Sequence, residues 1–248
     1  MAVPDHPPAT LGRESLECAT ERLLRPPRGA KPAIRLIRHG GRRLVVKDFR
    51  YAPWLLRHTY GRWLVSREAR VYARLDGVPG VPAFHGRLDP FAFAVTHIEG
   101  QTLKALPRRD IPAAAFDRLE EVIRRIHDAG VVHLDAHQKT NVLLDPRGQP
   151  YLVDFATALC LGTGPVGRLL VRLLGRADRL GVFKLKARYC PDALREGEAK
   201  RLRRGRRLGW LWPPSALRRL IRWVKRGPAA RTQGREGQRA QRRTSSET

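Results

Sequence analysis

Three polar side chains punctuate an otherwise apolar stretch at residues 126–156: Asp135, Asn141 and Asp154. Two short apolar runs, 142–144 and 151–153, flank the turn Asp145-Pro146-Arg147-Gly148, which is the pattern of a β-hairpin. Asp135 and Asn141 precede the first run and Asp154 closes the second, so such a hairpin brings two carboxylates and an amide to one end of a buried ribbon. Oxygen donors placed in this way suit phosphoryl transfer, where catalysis is mostly positioning and neutralisation of charge by Mg²⁺.

His133-Leu134-Asp135, Asn141 and Asp154-Phe155-Ala156 resemble the catalytic loop and the metal-binding Asp-Phe-Gly motif of the protein-kinase-like superfamily, in particular its small bacterial RIO-like and lipopolysaccharide-core kinases. The resemblance implies an α+β, two-lobed fold with a small antiparallel-sheet N-lobe and a mainly helical C-lobe. It implies ATP and Mg²⁺ as cofactors, Asp135 as catalytic base, and Asn141 and Asp154 as Mg²⁺ ligands. Two departures stand out. The spacing between Asp135 and Asn141 is one residue longer than in the kinase template, so the loop must absorb an extra residue. Ala156 stands where the template has Gly, which reduces backbone freedom after Asp154.

The elements that must position these residues lie upstream. Residues 21–24 read as an edge strand, and 33–37 and 43–49 alternate like paired strands around His39-Gly40-Gly41. Lys47, on the last of these, resembles the kinase lysine that grips the α- and β-phosphates. A helix is expected over 66–75, with Ser66 as N-cap and Glu68 in its first turn. Glu68 then either serves the helix dipole or pairs with Lys47, and the resemblance implies the second. A buried strand at 92–98 ends at Glu99-Gly100, the equivalent of the hinge between lobes. Residues 112–129 form an amphipathic helix, with Phe116, Leu119, Val122, Ile123 and Ile126 on its core face. The glycine-rich phosphate loop of kinases is missing, and only Arg28-Gly29-Ala30-Lys31 lies between the first strands.

Downstream of Asp154 there is no long peptide-binding segment. Residues 165–180 read as a basic helix, apolar at Leu169, Leu170, Leu173 and Leu174. A second basic amphipathic helix is expected after Ser215, bordered by Trp210 and Trp212, suited either to an anionic leaflet or to docking on the C-lobe. The expected division is a loose arm at 1–19, an N-lobe at 20–99, a C-lobe at 100–226 and a disordered basic tail at 227–248.

The 248 residues carry a net charge of +26, and residues 195–248 contribute half of it. Arginine accounts for most of the basic residues and is spread along the chain; with no nucleic-acid reading module in view, no nucleic-acid partner is expected. Cys18, Cys160 and Cys190 form no Cys-x-x-Cys pair, which fits a reducing compartment and no zinc site. His133 and His137 flank Asp135 without a third spaced ligand. With neither a signal pattern nor a membrane-spanning run, the expected location is cytoplasmic, with peripheral contact to an anionic membrane. The acceptor hydroxyl is expected on an envelope sugar, such as the lipopolysaccharide core, or on a protein Ser or Thr. The alternative is a catalytically weak pseudokinase acting as a membrane-surface scaffold.

Overall fold

A computed structural model describes residues 13–208. The helix expected after Ser215, the tail from 227 and the arm before Arg13 lie outside these residues. The N-terminal half is built on a five-stranded antiparallel sheet of order β1-β2-β3-β5-β4. It begins with a short helix, α1 (Glu14–Cys18), and continues through β1 (Thr20–Arg25), β2 (Ala33–His39) and β3 (Arg42–Asp48). The β2–β3 hairpin turns on Gly40 and Gly41, whose φ values of 54° and 73° are costly for other residues. Its register sets Ile34 opposite Lys47.

Next come α2 (Trp54–Leu56), a π-helical turn (Arg57–Gly61) and α3 (Arg62–Arg74), running without a break. This corrects the expected start at Ser66. Ser66 lies inside the helix and is not a cap, and Glu68 is far from the helix start, so the dipole reading of Glu68 falls. Gly61 does not stop the helix; it lets the backbone pass close to Phe49, to which a Cβ there would stand at 3.3 Å. The sheet is completed by β4 (Phe84–Asp89) and β5 (Ala92–Thr96). Strand β4 escapes sequence patterning, because Gly86 adopts φ 92° and its pairing with β5 shifts register twice.

One face of the sheet packs against α3 through Val65, Tyr72, Phe93 and Val95. The other face is covered by Leu16 of α1, packed with Ile37, Leu44 and Val46. Arg13 reinforces this cover through ion pairs with Asp48 and Asp89. The expected loose arm is therefore anchored from Arg13 onward.

The second half is mainly helical. Strand β6 (Gln101–Thr102) leads to α4 (Ala113–Asp128) and β7 (Val131–Val132), followed by the hairpin β8 (Val142–Leu144) and β9 (Pro150–Leu152). A short strand, β10 (Leu159–Cys160), pairs with β7 ahead of α5 (Pro165–Tyr189) and α6 (Glu196–Leu208). Helix α4 buries the five apolar residues read from its periodicity. Helix α5 does not follow its sequence pattern: it runs on to Tyr189 and buries Gly167, Val171, Gly175, Asp178 and Val182, leaving Leu169, Leu170 and Leu173 exposed. The reason is close approach. A Cβ on Gly167 would meet the Leu161 carbonyl oxygen at 2.3 Å, and one on Gly175 would meet the His127 ring at 2.5 Å. Only small residues let α5 lie this near its neighbours. Lys186 of α5, buried, joins Asp117 of α4 (2.9 Å) to Glu198 of α6 (3.0 Å).

Candidate active site

Lys47 lies near the end of β3 and extends its ammonium toward α3 and toward the residue that follows β9. Its Nζ donates to Glu68 Oε1 at 2.5 Å and to Asp154 Oδ1 at 2.9 Å. The two carboxylates come from opposite halves of the molecule, so one ammonium links them. Glu68 is fully buried, whereas the Asp154 side chain is 43% exposed. Burial pulls the Lys47 pKa down, but Asp154 and Glu68 outweigh it and hold the ammonium above its ordinary range. Burial raises the Glu68 carboxyl; Lys47 opposes that rise and Asp154 adds to it. Two carboxylates against one ammonium leave surplus negative charge, and the exposed side of Asp154 is where a cation would relieve it.

Asp154 has φ 64° and ψ 69°, the left-handed region that costs a non-glycine residue about 1–2 kcal/mol. The turn Phe155–Thr157 that follows is held from α3. Arg67 donates to the carbonyls of Ala156 (3.1 Å), Thr157 (3.2 Å) and Ala158 (2.5 Å). Ala156 thus stands in a turn whose carbonyls are held by Arg67. Phe155 is buried against Tyr72 and His133, at ring distances of 5.1 and 4.8 Å.

Asp135 and Asn141 bracket one loop. Two successive turns close it: the Gln138 N–H donates to the Asp135 carbonyl (3.1 Å) and the Asn141 N–H to the Gln138 carbonyl (3.0 Å). Asn141 Nδ2 reaches back to the Asp135 carbonyl at 3.2 Å. The additional residue is absorbed by this double turn, and Asn141 stays beside Asp135. The Val153 N–H donates to the Asn141 carbonyl at 2.9 Å, which sets Asn141 next to the strand leading into Asp154. His137 Nδ1 lies 3.7 Å from Asp135 Oδ1.

Two positioning groups escaped sequence reading. Asp178 of α5 is buried and accepts from the backbone N–H of His133 (2.8 Å) and of Leu134 (2.7 Å), and from His127 Nε2 (3.1 Å). Leu134, like Asp154, has φ 64°. The available signal was that Asp178 is the sole acidic residue between Asp154 and Asp192 in a basic helix. Arg67 is the other, hidden among many arginines. His133 is buried and neutral: burial holds its pKa below the ordinary value against the pull of Asp178. Its Nδ1 accepts from the Asp135 N–H (3.2 Å) and its Nε2 donates to the Val153 carbonyl (3.2 Å).

The structure therefore gathers Lys47, Glu68 and Asp154 into one contact cluster, and places Asp135 and Asn141 on an adjoining loop tied to the Asp154 strand. The architecture is α+β in two halves, a five-stranded antiparallel sheet packed against α3 and a mainly helical second half. No family model matches the chain, and no curated protein matches it. Among solved structures the chain is similar to a mutant of the PknI kinase domain of Mycobacterium tuberculosis, at 22% identity over 68% of this chain and 72% of that one, with a TM-score of 0.47.

The donor set fits Mg²⁺. Hard cations take oxygen ligands, and Mg²⁺ in nucleotide sites is held by one or two protein groups together with substrate phosphates. Among the described residues no cluster of three or more His, Cys, Asp or Glu forms a self-sufficient metal cage, and Asp154 with Asn141 matches a cation shared with a ligand. The connection between β1 and β2 contains a tight turn, in which the Lys31 N–H donates to the Arg28 carbonyl at 3.0 Å and Gly29 has φ 56°.

Proposed function

We propose that this chain is an ATP- and Mg²⁺-dependent phosphotransferase acting on a hydroxyl acceptor. The observation that carries the reading is Lys47 held between Glu68 and Asp154, with Asp135 on the loop that joins the Asp154 strand. In this reading Glu68 fixes the lysine, and the lysine ammonium meets the α- and β-phosphates of the nucleotide. Asp135 orients the acceptor hydroxyl and takes its proton as the oxygen attacks the γ-phosphorus, while the bond from that phosphorus to the β–γ bridging oxygen breaks and ADP leaves. Asn141 and Asp154 would hold Mg²⁺, which supplies neutralisation of phosphate charge when bound. In place of a glycine-rich loop, Arg28 or Lys31 would supply further charge to the nucleotide.

The acceptor is an envelope sugar, such as the lipopolysaccharide core, or a protein Ser or Thr. The short run from Phe155 to the start of α5 favours a small or carbohydrate acceptor over an extended peptide. Purified protein incubated with γ-labelled ATP, Mg²⁺ and envelope extract is expected to label an acceptor, and Asp135→Ala and Asp154→Ala to lose that labelling. Equal labelling by all three proteins rejects the assignment.

The tight β1–β2 turn favours a second reading, a catalytically weak pseudokinase serving as a scaffold at the membrane surface. Thermal unfolding with millimolar Mg·ATP separates the two, since a scaffold without a nucleotide site shows no shift.

A further inference from the structure

The aliphatic side chains of the first half of α5 point away from the protein. Val166 is 71% exposed, Leu169 57%, Leu170 38% and Leu173 40%. Their spacing of i, i+3, i+4 and i+7 lines them along a single helix face. A lone exposed leucine is ordinary, but a row of four is an apolar strip. Arg176 borders one side of it, and Arg172 and then Arg168 lie progressively farther round toward α4; all three are exposed and, among the described residues, none is ion-paired. Most carboxylates across the groove toward α4 are already engaged, Glu121 and Asp128 by Arg124 and Asp117 by Lys186 and Arg195, while Glu120 also lines it. Three arginines facing one unengaged carboxylate leave net positive charge on this side of α5.

The partner that fits is apolar and anionic at once. A second copy of the chain would set one arginine flank against another. The chain's own residues 209–248, with ten Lys or Arg and two Glu, bring the same repulsion. A nucleic acid would answer the arginines but offers nothing to four aliphatic side chains. We infer that this face of α5 is a docking surface for an anionic membrane, with the aliphatic strip entering the headgroup boundary and the arginines meeting lipid phosphates. No described helix is long and apolar enough to cross a membrane, so α5 lies on the surface. The surface belongs to α5 and does not depend on the reaction proposed above.

Sedimentation of the full chain with vesicles tests this. The chain is expected to pellet with equimolar phosphatidylcholine and phosphatidylglycerol and to stay in the supernatant with phosphatidylcholine alone. Replacing Arg168, Arg172 and Arg176 by Ser should weaken partitioning by roughly 100-fold, at about fivefold per arginine. Leu169→Glu combined with Leu173→Glu should weaken it by about tenfold or more. Both variants should melt like the unaltered chain because the side chains are exposed, and Leu169→Ser with Leu173→Ser repeats the test should the added charge disturb the fold. Unaltered partitioning of the leucine variants would overturn the inference, as would equal binding to neutral vesicles. Self-association that these variants abolish would identify a second copy as the occupant and overturn it as well.

Discussion

Asp178 shows how one buried side chain can set the conformation of the loop that carries Asp135. Its carboxylate takes the N–H groups of His133 and Leu134, and Leu134 holds a left-handed φ of 64° that needs support from its surroundings. Asp178→Ala would leave two buried donors without an acceptor, at about 1–3 kcal/mol each. We expect a loss of about 3 kcal/mol in urea unfolding together with a fall in phosphoryl transfer, and an unchanged unfolding midpoint would refute the role. His133 adds a pH dependence. Its folded pKa lies below the ordinary value of about 6.5, so on acidification the unfolded chain takes up the proton first. Stability is therefore complete above about pH 6.5 and is lost as pH falls from there toward the folded-state pKa. A proton on Nδ1 would also oppose the Asp135 N–H that this atom now accepts. His133→Gln should flatten the stability profile below about pH 6.5. His85 and His97, also lowered by burial, retain the remaining slope, and a profile as steep as before in the variant would reject the contribution of His133.

Helices α3 and α5 both depart from what local pattern predicts, for different reasons. In α3 the pattern of Ser66 followed by apolar residues imitates a helix start, but nothing upstream ends the helix that began at Trp54. In α5 Leu169, Leu170 and Leu173 stay exposed, while the buried residues are Gly167, Gly175 and Gly181 with Val171, Asp178, Val182, Phe183, Leu185 and Lys186. Gly167→Ala makes this testable. In an ordinary helix the change stabilises by roughly 0.5–1 kcal/mol. Here a Cβ would stand 2.3 Å from the Leu161 carbonyl oxygen and 2.5 Å from that of Gly162, and neither backbone atom yields easily. The expected outcome is a loss of about 1–3 kcal/mol, read by thermal or urea unfolding. A stabilised Gly167→Ala protein would show that the contact relaxes and that glycine is not required there.

At the scale of the molecule the two halves meet through few polar links. Lys47 reaches Asp154, Arg67 holds the carbonyls of residues 156–158, and the Leu152 N–H donates to the Gly80 carbonyl at 2.8 Å. A nucleotide bound at Lys47 and Asp154 would engage both halves and stabilise the whole. At about 100 times its dissociation constant, Mg·ATP should add about 2.7 kcal/mol of stability. For a chain of this size each kcal/mol raises Tm by roughly 2–4 °C. Asp154→Asn should remove the Mg²⁺-dependent part of that shift. A full shift in Asp154→Asn, or the same shift with ATP and EDTA, would place the nucleotide or its cation elsewhere.

What the sequence alone determined was the order and type of the chemical groups. Asp135, Asn141 and Asp154 sit around a hairpin whose apolar runs and turn residues are local signals. Lys47 precedes a helix bearing Glu68, and the period-3.6 pattern of α4 named its core face, because that helix buries large apolar side chains. Tertiary structure decided the rest. It chose the ion pair over the helix dipole for Glu68, since the helix begins at Trp54, well before Glu68. It made the longer loop before Asn141 workable through two turns that only its ends, pinned by β7 and β8, require. It turned the leucines of α5 outward, because closeness to the backbone at residues 161–162 and to the His127 ring favours glycine over leucine, and closeness is not written in hydrophobicity. Asp178 became visible by the same route: a carboxylate acquires a role when folding brings unpaired N–H groups to it across 44 and 45 positions of chain.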